Sequence, residues 1–143
     1  MNQGMITVFF EYRVWWTSPE LLDWNYRPTK ESDVYALGMV IYEVRIFVYT
    51  LRRRWAQEAE PRQVLCDTWV FEGLDRFRAA IEVLNGTRPA KPENIASLGF
   101  TSGLWEIVEQ CWLADRNARP TLSTVLSCLT EAASSWTDRE KIV

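Results

Sequence analysis

The residues that could do chemistry in this chain are few, and the most informative is missing: its 143 residues include no histidine. Without imidazole there is no Ser-His-Asp triad, no His-ligated metal centre and no imidazole general base. Three cysteines remain, Cys66, Cys111 and Cys128, widely spaced and without a CxxC. An odd, scattered set fits neither a disulfide framework nor a zinc site, so they read as buried thiols of a reducing compartment. Three charged side chains have a recognisable setting: Glu20 after Ser18-Pro19, Asp33 at the head of an apolar run, and Arg119 before Pro120. Taken alone, Glu20 and Arg119 would be unrelated surface charges, and Asp33 a helix-start carboxylate favoured by the macrodipole. The Arg52-Arg53-Arg54 triplet could read as a nucleic-acid or targeting patch, but it stands in a stretch without period. A solvated surface insertion accounts for it better.

The elements that must position these residues are helices. At 16.7 kDa with 48% hydrophobic and 13% aromatic residues, the chain has one domain's worth of core and is not disordered. A net charge of −3 gives no global field toward nucleic acid or anionic membrane. Residues 35–51 are long and apolar, yet Glu43 and Arg45 sit near their centre, so they read as a buried helix and not a bilayer span. The first thirteen residues lack a basic leader region, and a cytoplasmic location is expected.

Period and caps place four helices in a mainly α domain. The first covers residues 32–44, with Thr29 or Ser32 as N-cap and Val34, Leu37, Val40, Ile41 and Val44 apolar; Tyr35, Met39 and Tyr42 make it apolar nearly all round. The second covers 74–84, with Leu74, Phe77, Ile81 and Leu84 as its stripe and Asn85-Gly86 as its stop. The third, 102–112, sets Leu104, Val108, Cys111 and Trp112 on one face after a Thr101 or Ser102 cap. The fourth follows Thr121, with Leu122, Val125, Leu126 and Leu129 inward and Ser123, Thr124 and Ser127 in water.

The order of motifs is more specific than any one of them. Trp16-Thr17-Ser18-Pro19-Glu20 is followed by Ser32-Asp33-Val34-Tyr35-Ala36-Leu37-Gly38, then Gly86-Thr87-Arg88-Pro89, Cys111-Trp112 and Arg116-Asn117-Ala118-Arg119-Pro120. This resembles the C-terminal half of a protein kinase domain of tyrosine-kinase-like style, from the end of the activation segment to the last helix. The fold implied is a partial C-lobe helical bundle with the N-lobe and catalytic loop absent. Within it, residues 1–12 would be an activation-segment remnant, 13–44 and 71–129 kinase-like, 45–70 an atypical insertion and 130–143 a C-terminal tail. By the same resemblance Ser18-Pro19-Glu20 stands for Ala-Pro-Glu, and Glu20 pairs with Arg119. Trp16, Thr17, Ser18, Pro19 and Glu20 belong to the substrate-positioning loop, Asp33 accepts hydrogen bonds from the catalytic loop, and Trp112 anchors the core beside Arg119. Arg13 stands where many members carry Thr and Trp15 where Arg is common, so the acceptor preference is not legible.

The family's chemistry lies in parts this sequence lacks. There is no GxGxxG, no Val-Ala-Ile-Lys, no His-Arg-Asp, no DxxxxN and no Asp-Phe-Gly, and the lysines are only Lys30, Lys91 and Lys141. Catalytic, cofactor and metal residues are therefore expected to be none in this chain, ATP and Mg entering by family resemblance only. Three readings follow: a kinase-domain fragment inactive alone, a non-catalytic kinase-like binding module (a pseudokinase), or a truncated gene product. The partners implied are a protein or the missing kinase half, with no nucleic acid and no membrane. The face of residues 74–84 is the candidate docking surface, with packing onto the chain's own core as the competing reading.

Overall fold

A computed structural model of the chain describes residues 14–23, 25–55, 74–92, 95–96 and 100–140. Two short 3-10 turns, Val14–Trp16 and Pro19–Leu22, lead into four helices: α1 (Lys30–Trp55), α2 (Arg76–Leu84), α3 (Ser102–Cys111) and α4 (Leu122–Glu140). A third 3-10 turn, Arg116–Ala118, joins α3 to α4, and no strand occurs among the described residues. The chain is mainly helical, as a kinase C-lobe is.

Thr29 caps α1, and Ser32 answers it. The Ser32 amide donates to Thr29 Oγ1 at 3.3 Å, while the Thr29 amide donates to Ser32 Oγ at 2.8 Å. This reciprocal pair has the form of a capping box, with serine in the usual Glu or Gln position. The helix continues eleven residues beyond Val44, to Trp55. Residues 45–55 contain neither Gly nor Pro, so the charge of Arg45 changes the pattern without ending the helix. The remainder of the expected insertion, 56–70, lies outside the described residues.

Around α1 pack the first 3-10 turn, α3 and the turn at Arg116–Ala118; α4 lies on α3, and α2 on the two N-terminal turns. Gly38 makes the α1–α3 approach possible, since a Cβ built there would lie 2.6 Å from Cys111 Cβ. Trp105 is the hub of the core. Its ring meets Phe100 edge-on at 5.6 Å, Trp112 at 6.0 Å and Tyr42 at 6.3 Å. Such aromatic pairs contribute roughly 0.5–1.5 kcal/mol each beyond burial.

Three expected faces are redrawn. α1 is not buried all round: Val34, Tyr35, Met39, Ile41 and Tyr42 are buried, but Val40 is 43% and Val44 52% exposed. On α2 the expected stripe is turned outward, with Phe77 67%, Ile81 54% and Leu84 58% exposed, and small Ala79 and Val83 make the buried contact. The close seat of α2 on the N-terminal turns selects small side chains there, and periodicity cannot tell that face from the larger one. On α4, Val125 and Ala132 are buried and Leu129 half-buried, while Leu122 and Leu126 are exposed. Thr29 and Thr101 cap where expected, and Asp75, not expected as a cap, starts α2. Asp75 accepts from the Phe77 and Arg78 amides and Thr101 from the Leu104 amide. Gly86, at φ 86°, closes α2 with Thr87 and Gly86 amides donating to Glu82 and Val83 carbonyls, the paired bonds of a Schellman motif. No helix among the described residues is long and apolar enough to cross a membrane.

Candidate functional site

The segment Trp16, Thr17, Ser18, Pro19 and Glu20 is a tight turn held at both ends. The Thr17 amide closes onto the Val14 carbonyl at 3.2 Å and the Leu21 amide onto the Ser18 carbonyl at 2.9 Å. Pro19 opens the second 3-10 turn, where its fixed φ suits a first helical position and its missing N–H leaves nothing unpaired. Ser18 is fully buried beneath it.

At the carboxyl end, Glu20 and Arg119 meet across 99 residues of sequence. Arg119 Nη1 donates to Glu20 Oε1 at 2.7 Å and Nη2 to Oε2 at 2.9 Å, a bidentate fork. Its remaining donors reach the Leu113 carbonyl through Nε at 2.9 Å and the Glu31 carbonyl through Nη1 at 2.9 Å. One buried guanidinium thus joins the turn, the first turn of α1 and the end of the α3 loop. Burial pushes the Glu20 carboxyl up, but the hydrogen bonds from Arg119 and from the turn's own backbone outweigh it and hold the pKa below the ordinary 4.5.

At the amino end, Trp16 Nε1 donates to Glu43 Oε2 at 2.8 Å. Glu43 is half-buried on α1, and burial raises its carboxyl pKa against the lowering effect of the indole bond.

Beneath the clamp lies Tyr35, completely buried, with the guanidinium carbons of Arg119 and Arg88 each 5.2 Å from its ring centroid. Burial raises the Tyr35 pKa. Arg88 mirrors Arg119: its Nε donates to the Trp112 carbonyl at 2.9 Å, and its Nη1 to the Val83 and Thr87 carbonyls at 3.0 and 2.8 Å. It ties the end of α2 to the end of α3. Trp112 is buried edge-on to Tyr42 at 6.0 Å, and its carbonyl serves Arg88.

Asp33 is not drawn into this cluster. Its side chain is exposed in the first turn of α1, and Val40 and Val44, with half-buried Leu37 between, continue the same face in steps of four, three and four residues. Sequence reasoning gave Glu31, Glu43 and Tyr35 no part in the site: Glu43 entered only as a charge inside an apolar run and Tyr35 as an apolar helix position. It quoted Arg88 within its Gly-Thr-Arg-Pro motif without giving it a role, although an arginine after a helix-stopping glycine is well placed to serve the last carbonyls of that helix.

Among the described residues no three His, Cys, Asp or Glu side chains converge where a metal ion could sit, and Lys30 and Lys91 are both exposed. The hydrogen bonds of this cluster hold the Trp16–Glu20 turn in place.

The family described as "Protein tyrosine and serine/threonine kinase" matches residues 9–129. The chain is 28% identical over 122 residues to a Dictyostelium discoideum protein named "Probable serine/threonine-protein kinase roco8", a match covering 84% of this chain and 5% of that protein. It is 30% identical over 103 residues to the Arabidopsis thaliana "Serine/threonine-protein kinase VIK", covering 72% of this chain and 18% of that one. The chain therefore spans less than a fifth of either relative. With the clamp from Glu20 to Arg119 inside the matched region, the chain belongs to the protein tyrosine and serine/threonine kinase family.

Proposed function

We propose that these 143 residues are the substrate-side helical half of a serine/threonine protein kinase domain, inactive without an ATP- and magnesium-binding half. In the complete domain the proposed reaction is transfer of the ATP γ-phosphoryl group to a protein Ser or Thr hydroxyl, a choice of acceptor that the names of both relatives support. The observation that carries the reading is the seating of the Trp16–Glu20 turn on α1 by the buried Arg119 fork. The exposed α1 positions Asp33, Val40 and Val44 support it, since they offer an acidic residue and two apolar side chains to a covering element. The contribution of this half is positioning, which is much of what a kinase supplies. Location in the cytoplasm belongs to the same reading. The test is phosphotransfer from Mg-ATP to a serine- and threonine-containing peptide pool: no label above the protein-free control is expected, and turnover by the chain alone would overturn the reading.

A second reading, a non-catalytic kinase-like module, is favoured by α2. Phe77, Ile81 and Leu84 continue the spacing of Leu74 in steps of three, four and three, and all three are exposed. That is the seam an amphipathic helix can occupy. Light scattering of the chain against the Phe77→Ser, Ile81→Ser variant tests it for self-association: a mass above one chain in the parent that falls to one chain in the variant supports the seam, and a single-chain mass in both removes it.

A further inference from the structure

The Glu20–Arg119 fork fixes only one end of the substrate-side turn. Arg119 also holds the Glu31 carbonyl, so that end is registered to the first turn of α1. Trp16 is four residues away along the turn, and its indole N–H reaches Glu43 at 2.8 Å. Glu31 and Glu43 are twelve residues apart on the same helix, about 18 Å along its axis at about 1.5 Å per residue. The turn therefore lies alongside α1 between two widely separated anchors, and a segment pinned at two points keeps an orientation that one pin leaves free to swing.

The second anchor is chemically specific. An indole is a donor with no acceptor, and Glu43, half-buried in the middle of a long helix, is an expensive place for a carboxylate unless it has a partner. A glutamine would accept the same N–H, and an aliphatic side chain would not.

We propose that Glu43 is a positioning residue for the substrate-facing turn: its carboxylate holds the Trp16 indole and so sets the orientation of Thr17, Ser18 and Glu20. That this turn faces a substrate rests on the function proposed above; the anchoring does not, and it is tested without any activity. Burial raises the Glu43 carboxyl while the indole bond lowers it, as expected of a carboxylate committed to one donor.

The experiment is an amide and indole nitrogen–proton NMR spectrum of the full 143-residue chain, with Trp16 assigned by its loss in Trp16→Phe. In Glu43→Leu the Trp16 indole proton is expected to move upfield to the position of an unbonded indole. The amides of Thr17, Ser18 and Glu20 are expected to shift, with those of α3 and α4 in place. Glu43→Gln is expected to restore both, and Trp16→Phe, which leaves Glu43 untouched, to reproduce the amide shifts of Glu43→Leu. An indole resonance unmoved in Glu43→Leu, or not restored in a folded Glu43→Gln, would overturn the proposal. If Glu43→Leu does not fold, Glu43→Gln and Trp16→Phe decide: unmoved Thr17 to Glu20 amides in Trp16→Phe would equally overturn it. Failure of the phosphotransfer reading leaves every one of these outcomes unchanged.

Discussion

Replacing Glu20 by alanine asks whether the clamp is a buried ion pair or a surface decoration. In the native chain Arg119 makes four hydrogen bonds, two to Glu20 and two to the carbonyls of Leu113 and Glu31. Its side chain has no exposure, and that of Glu20 has 11%. Glu20→Ala leaves a desolvated guanidinium with half its partners gone. Breaking a buried pair on one side costs about 3–5 kcal/mol, whereas an exposed pair is worth about 0–1 kcal/mol. With a urea slope of about 2 kcal/mol/M for a domain of this size, the midpoint should fall by roughly 2 M with the slope unchanged. Arg119→Ala should cost a similar amount and the double variant far less than the sum, because the two share one interaction. The pH dependence has a definite sign. The folded pKa of Glu20 lies below its unfolded value, so its contribution is present above about pH 4.5 and lost as pH falls through the lower folded value. Urea melts by tryptophan fluorescence measure all of this. A Glu20→Ala loss below about 1 kcal/mol, or additivity in the cycle, would show that the two side chains do not form a buried, coupled pair.

Gly38→Ala should destabilise by about 1–3 kcal/mol despite the better helix propensity of alanine, because two rigid Cβ atoms would meet at 2.6 Å and neither can rotate away. Cys111→Gly should recover part of the loss, and thermal melts of the single and double variants check both. Phe77→Ser, at a position 67% exposed, should change stability by less than about 0.5 kcal/mol. Val83→Ala, fully buried on the same helix, should cost about 1–3 kcal/mol, so that urea midpoints rank α2's two faces opposite to its hydrophobic stripe. Burial pushes the Cys111 thiol up to about 11, so iodoacetamide at pH 8 followed by mass spectrometry should leave it unmodified in the native chain and alkylated in urea.

Caps, turn residues and motif order were legible in this sequence because each is a local signal. Thr29, Thr101 and the Asn85-Gly86 stop can be read from residues within three or four positions of the groups they satisfy. Helix faces were less legible. The apolar row of Leu74, Phe77, Ile81 and Leu84 has the right period for burial, but the choice between it and the row of Ala79 and Val83 depends on how close the N-terminal turns approach. Gly38 carried a hint of the α1–α3 approach, since a glycine inside an otherwise strong helix needs a packing reason. The site divides the same way. The Glu20–Arg119 pair became visible only through resemblance, since nothing local links residues 99 apart. The Trp16–Glu43 bond and the reach of Arg88 to the Trp112 carbonyl had no sequence signal beyond the residue types, because donor and acceptor are brought together by the fold alone.

On the function proposed, this chain is a positioning half without a nucleotide site, and calorimetric titration of Mg-ATP into the folded chain is the test. No heat beyond dilution is expected in a sample whose cooperative melt shows it is folded. Micromolar binding that disappears in Glu20→Ala would contradict it, because a nucleotide site would then exist on the very fold that the clamp holds together.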